Sequence, residues 1–152
     1  KTFDESKMLE VLDMTGISYE VSIISADRRE EELRKYCLKM LESDTKVFIG
    51  AAGMLPALPG NIAAIIKFQR PVLCVPLEKD MAYAKAQKPA GVPVPVAGIG
   101  KAGLYNAAII ACQIITIDYF EIYERFKKTL ETIRDEKPAE IGIIKSAEKE
   151  EK

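Results

Sequence analysis

The sequence predicts an α/β domain in which a mostly parallel sheet is covered by helices on both faces. Three observations carry this. Short apolar runs alternate with amphipathic stretches at short spacing, the order that parallel strands and crossover helices require. Residues 71–75 (Pro-Val-Leu-Cys-Val) are apolar without a break, as a strand buried on both faces would be. The apolar run at residues 47–49 stops at Gly50 and opens into a loop of small residues with Gly53, Pro56, Pro59 and Gly60. Small residues there let a ligand approach the backbone, and the following helix offers free N–H groups to an anion, where open α/β sheets place their ligands.

The elements follow in order. Residues 4–15 carry Met8, Leu9, Val11, Leu12 and Met14 at helical spacing, and Gly16 ends the helix. Residues 17–24 contain Tyr19, Val21, Ile23 and Ile24 and read as a strand. Residues 29–41 form a helix with Leu33, Tyr36, Cys37, Met40 and Leu41 inward. A strand at 46–49, a helix at 58–68 and a buried strand at 71–75 come next, then a short helix at 79–88. Residues 92–97 form a strand interrupted by prolines, which suits a sheet edge. Residues 104–134 make one long helix or two. Its first half is apolar nearly all round and is expected to be buried. Its second half is amphipathic, and Tyr119, Phe120, Ile122, Tyr123 and Phe126 offer core or oligomer contacts.

One element is out of place. After Pro138 comes Ile141-Gly142-Ile143-Ile144, which reads as a short buried strand, while the sequence opens on a helix where this class of fold opens on a strand. Either residues 141–144 supply the strand that precedes the first helix, by circular permutation or by exchange between subunits, or residues 138–152 are a loosely ordered tail with a charged, frayed end. The domain proper is residues 1–137.

Composition narrows the function classes. The 152 residues suit one domain with a sizeable core, with 48% hydrophobic and 30% charged residues. A net charge of −1 gives no basic surface for nucleic acid. No apolar run has the length of a membrane span, and no signal peptide is visible, so no membrane partner and a cytoplasmic location are expected. Cys37, Cys74 and Cys112 are widely spaced and odd in number, which fits buried reduced thiols better than disulfides or a metal site. There is no histidine, so any mechanism that needs an imidazole is excluded.

Five segments together resemble a family: residues 16–28, 50–64, 70–77, 88–103 and 106–115 fall in the order seen in the N5-carboxyaminoimidazole ribonucleotide mutase family of purine biosynthesis, the aminoimidazole ribonucleotide carboxylase-type proteins. The resemblance covers roughly residues 5 to 130. It implies a three-layer αβα, flavodoxin-like subunit, a homo-octamer with sites between subunits, a small-molecule ribonucleotide as substrate and no metal or organic cofactor. It further implies an isomerase or lyase chemistry in which a carboxylate moves from an exocyclic nitrogen to ring carbon 4.

The motifs carry over in part. The family's Ser-Ala-His-Arg is similar to Ser25-Ala26-Asp27-Arg28, which implies that Arg28 holds the substrate phosphate, puts Ser25 in the substrate site and leaves Asp27 in place of the histidine. The second family histidine, in the glycine- and proline-rich loop, falls at Ala57, beside Gly53 and Leu58. The family's opening Gly-Ser loop would precede Lys1, and Ser146 is its one visible counterpart. Between Pro76 and Pro89 the chain is several residues shorter than the family, while Gly91, Gly98, Gly100, Gly103 and Asn106 are kept. The resemblance thus implies a substrate site of Ser25, Arg28, Gly53, Ala57, Leu58 and Gly100, with Asp27 the one candidate acid–base group.

Proton transfer at nitrogen and carbon works best with a group titrating near the working pH, as imidazole does. A carboxylate such as Asp27 fills that role only where burial favours its neutral form, and a neighbouring arginine opposes that. Two functions follow: a mutase with impaired chemistry, or a catalytically inactive nucleotide-binding or assembly homologue. Locally, Asp27 also suits a helix cap, and Arg28 and Arg29 suit ion pairs with Glu31 and Glu32. Met54 and Leu55 suit a packed loop, and residues 98–103 a weak phosphate-loop pattern with an exposed Lys101.

Overall fold

Two parallel strands, β1 (Phe48–Ala52) and β2 (Val72–Pro76), form the middle layer of the computed structural model, which describes residues 6–53, 57–81 and 88–135. Gly50 stands opposite Cys74 and Ala52 opposite Pro76. The ladder extends at both ends, where the Phe48 N–H donates to Pro71 O and the Leu77 N–H to Ala52 O, each at 2.9 Å. All five residues of β2 are buried, and alternation sends them into two cores. Leu73 and Val75 join Met8, Val11, Leu104, Ala108 and Phe126 on one face. Val72 and Cys74 join Leu33, Cys37, Ile62 and Ile66 on the other.

The first face is covered by α1 (Met8–Thr15), α4 (Gly100–Ile115) and α5 (Phe120–Asp135), the second by α2 (Glu30–Glu42) and α3 (Leu58–Ile65). This is the three-layer α/β arrangement expected. Gly16 closes α1 at φ +74°, its N–H donating to Asp13 O, a conformation that glycine adopts without a Cβ penalty. Thr15 and Thr129 are buried where α1 meets α5. Their hydroxyls donate to Val11 O (2.8 Å) and Arg125 O (3.1 Å), so neither is left unsatisfied.

Several boundaries move. β1 runs through Gly50 to Ala52 instead of ending at residue 49, because glycine lets Pro59 of α3 lie against the strand. Helix α3 stops at Ile65, short of residue 68, since Lys67 and Phe68 turn to positive φ. The long helical stretch is two helices, and the first starts at Gly100, four residues before the expected Leu104. The proline-broken strand at 92–97 reduces to one bridge, Cys74 with Val96. There Cys74 N–H donates to Pro95 O (2.8 Å) and Ala97 N–H to Cys74 O (3.0 Å), and Pro93 and Pro95 have no N–H to extend it.

The largest correction concerns residues 17–24. They form no strand among the described residues; Tyr19, Val21 and Ile23 are 43%, 50% and 100% exposed. β-propensity measures fit to a paired, half-buried surface, and here no neighbouring ladder is present to supply one. Residues 141–144, Ser146, the charged tail, Met54, Leu55 and all but the 3₁₀ turn Lys79–Met81 of the helix expected at 79–88 lie outside the described residues, apart from Lys88.

Candidate active site at the carboxyl ends of the strands

Three turns converge beyond the carboxyl ends of β1, β2 and the 94–97 segment. Gly50 brings β1 against α3: a Cβ there would lie 2.9 Å from Pro59 Cγ and 3.0 Å from its Cα. Past the end of β1, Gly53 carries the Glu78 carboxylate over it, with Oε1 3.1 Å from where a Cβ would be. Leu77, next to Glu78, is tied to Ala52 by its N–H, and its carbonyl lies 3.7 Å from the Cβ position of Gly100. A Cβ on Gly103 would overlap the carbonyl of Gly98, so the first turn of α4 sits directly on the turn before it. Gly98 and Gly100 hold φ of +144° and +59°, which side chains rarely tolerate.

The electrostatics of the helix starts differ across the molecule. α2 opens on Glu30, Glu31 and Glu32, which offset its own N-terminal partial charge. α3 and α4 have no acidic residue in the first turn and no side-chain cap at Ala57 or Ile99. Neither first turn carries an acidic residue of its own, which suits an anion, while the Glu78 carboxylate over Gly53 is the one negative group described beside them. Lys88 adds a cation here, its Nζ 3.6 Å from the Cβ position of Gly60 in the first turn of α3.

Gly53 and Gly100 are thus brought together through residues 77–78, and Ala57 starts the adjacent helix. Leu58 packs against the core beneath α3. Ser25, Asp27 and Arg28 occupy a separate turn before α2. Ser25 Oγ accepts from the Arg28 backbone N–H and from its Nε, both at 3.4 Å. Arg28 and Asp27 are exposed. Asp27 does not cap α2: the cap position is Arg29, which has no side-chain cap bond and pairs instead with Glu32 at 3.1 Å, while Glu31 pairs with Lys35. Among the described residues, no hydrogen bond or ion pair joins Ser25, Asp27 or Arg28 to Gly53, Glu78 or Gly100.

The sequence reading missed Glu78 and Lys88. The available signal was a charged residue two positions beyond a fully apolar strand, at the end where ligands bind. The cysteines follow expectation: Cys37, Cys74 and Cys112 are buried and form no disulfide. Burial pushes the Cys37 and Cys112 thiols up.

Comparison with known proteins shows the family. The AIR carboxylase family model matches residues 4–136. The chain is 35% identical to the N5-carboxyaminoimidazole ribonucleotide mutase of Vibrio cholerae over 142 residues, covering 86% of this chain and 87% of the relative. It is 36% identical to that of Pseudomonas aeruginosa (81% and 78% covered) and 36% identical to that of Pyrococcus abyssi (82% and 72% covered). With the family model spanning most of the chain and the α/β layers in place, this chain belongs to the AIR carboxylase family.

Proposed function

We propose that this chain binds an aminoimidazole ribonucleotide and shifts a carboxylate on it in purine biosynthesis, more slowly than its relatives. The observation that carries the reading is the meeting of two uncapped, acid-free helix starts with the glycine turns at Gly53 and Gly100. A substrate bearing a phosphate and a carboxylate matches that field. In this reading Arg28, held by Ser25, takes the phosphate, while Gly53, Ala57, Leu58 and Gly100 form the wall by the ring. The reaction breaks the bond from nitrogen to carboxyl carbon, protonates the nitrogen, forms the bond from carbon 4 to carbon dioxide and removes the carbon 4 proton. Its balance needs no cofactor. A homo-oligomer, an octamer by family likeness, and a cytoplasmic location belong to the same reading.

The chemistry is impaired because no imidazole is available to move that proton. Ala57 stands where the resemblance puts one histidine, and Asp27, in place of the other, is exposed. Loss of one positioned acid–base group costs ~10²–10⁴ in rate. Isothermal titration with aminoimidazole ribonucleotide, followed by turnover of its N-carboxylated form, tests the proposal. Arg28→Ala is expected to weaken binding at least ~10-fold, the effect of a lost charge-assisted hydrogen bond. Binding without turnover would favour the inactive nucleotide-binding homologue. No binding at ~1 mM, only ~4 kcal/mol of affinity, would remove both.

A further inference from the structure

We propose that Lys88 is the counter-charge for the substrate's carboxylate, and that Glu78 fixes which way round that carboxylate lies. The inference rests on the ribonucleotide reading and deepens it, assigning specificity to two residues that the resemblance does not name. The sequence sets the charge background. From Thr45 to Ile117 only Glu78 and Asp80 are acidic, while seven residues are basic, Lys79, Lys88 and Lys101 among them. This stretch builds β1, β2, α3, α4 and the glycine turns between them. The net charge of −1 over the whole chain thus conceals a basic segment at the site, in which a carboxylate or a half-buried ammonium stands out.

Lys88 is the cation placed to act. It is half-buried, whereas Lys79 and Lys101 are exposed and Lys101 already has a partner. Its Nζ lies 3.6 Å from the Cβ position of Gly60, against the first turn of α3. Among the described residues Lys88 has no ion pair, and residues 54–56 and 82–87 contain no acid that could form one. A helix start carries a positive partial charge, so a cation is better placed at the opposite end. The position of Lys88 is therefore unfavourable on electrostatic grounds until an anion arrives to share it.

Glu78 supplies the opposite sign. Its backbone is fixed by the neighbouring Leu77, whose N–H donates to Ala52 O at 2.9 Å. Its carboxylate stands over Gly53, with Oε1 3.1 Å from the Cβ position there, and among the described residues it has no ion pair. The two charges thus mark the two ends of the connection from β1 to α3, Glu78 at Gly53 and Lys88 at Gly60. A substrate whose phosphate lies on Arg28 has one further anionic group, its carboxylate. At the Gly53 end that group would meet Glu78, a like charge, and at the Gly60 end it meets an ammonium. Like charges set side by side disfavour the first orientation. The carboxyl group begins on the exocyclic nitrogen and ends on the adjoining ring carbon, so one ammonium serves it at both positions. The decarboxylated ribonucleotide offers Lys88 no partner and gains nothing from it.

Isothermal titration of the full-length chain with the 4-carboxylated aminoimidazole ribonucleotide, and with its decarboxylated form, tests this. Lys88→Met keeps the apolar stem and removes the charge. It is expected to weaken the carboxylated ligand at least ~10-fold, the effect of a lost charge-assisted hydrogen bond, and to leave the decarboxylated one within ~2-fold. Lys88→Arg, which keeps the charge, should restore most of the lost affinity. Glu78→Gln should move the preference the other way and tighten the carboxylated ligand. Arg28→Ala acts on the phosphate common to both ligands and should weaken the two alike. Equal weakening of both ligands by Lys88→Met, or a carboxylated ligand weakened by Glu78→Gln, would overturn the assignment and leave the ribonucleotide reading standing. If neither ligand binds the unsubstituted chain at ~1 mM, that reading fails and the assignment falls with it.

Discussion

Gly103→Ala is the sharpest test of how the glycine turns are built. Gly103 is buried in the first turn of α4, and an added Cβ would overlap the Gly98 carbonyl and lie 2.9 Å from Val75 Cγ1. Neither neighbour yields easily. Gly98 is fixed in its turn at φ +144°, and Val75 is fully buried in β2. Restoring ordinary contact requires the helix and the turn to separate. Overpacking costs ~1–3 kcal/mol, and a backbone clash belongs at the upper end. Alanine returns ~1 kcal/mol of helix propensity, which leaves a net loss of ~2 kcal/mol. At ~2–4 °C per kcal/mol for a chain of this size, the Tm should fall by ~4–8 °C. Thermal unfolding followed by far-ultraviolet circular dichroism reads it. Ala102→Gly, at the exposed neighbouring position, is the control and should lose only the propensity term, ~1 kcal/mol. If Gly103→Ala unfolds at or above the wild-type temperature, the contact is not close and the argument from it fails.

Three further outcomes follow from packing and charge. Leu104→Ala, at a side chain 1% exposed between α4 and the sheet, should cost ~2–5 kcal/mol in denaturant unfolding, and a loss under ~1 kcal/mol would mean that the site collapses freely. Cys37, Cys74 and Cys112 should resist a thiol reagent at mildly alkaline pH until denaturant is added, because all three are buried and burial raises the Cys37 and Cys112 thiols. Rapid labelling of the native protein would contradict that. Asp44 is held below its ordinary 3.8, first by the hydrogen bond from Lys46 (2.6 Å) and then by that cation's charge, with Arg70 adding to it. A lowered folded value means the stabilisation is whole above 3.8 and is lost as pH falls through the folded value. The unfolding midpoints of wild type and Asp44→Asn should therefore converge in acid, and a constant gap from neutral to acid pH would refute the pairing.

Much of the fold was legible because hydrophobic period and local punctuation agreed. α2 appears within one residue of the expected span, β2 is buried on both faces as its unbroken apolar run required, and Gly16 ends α1. What was illegible depended on partners distant in sequence. Residues 17–24 have every local mark of a strand, yet a strand exists only where a second backbone meets it. Gly50 read as the end of β1, because its reason for being glycine is the approach of Pro59 nine residues later. Gly100 likewise read as loop, although it begins α4. At the site, Gly53 and Gly100 stood out as small residues in turns, while Glu78 was passed over. Its nearness to Gly53 comes from the pairing of β1 with β2, which no local pattern encodes.

The seating of Gly103 on the Gly98 carbonyl makes the turn before α4 a piece of the hydrophobic interior. A glycine seated in this way is required by folding, whatever chemistry stands beside it. Fold-keeping glycines and chemistry-bearing side chains therefore answer to different demands, and the presence of the first carries no information about the second.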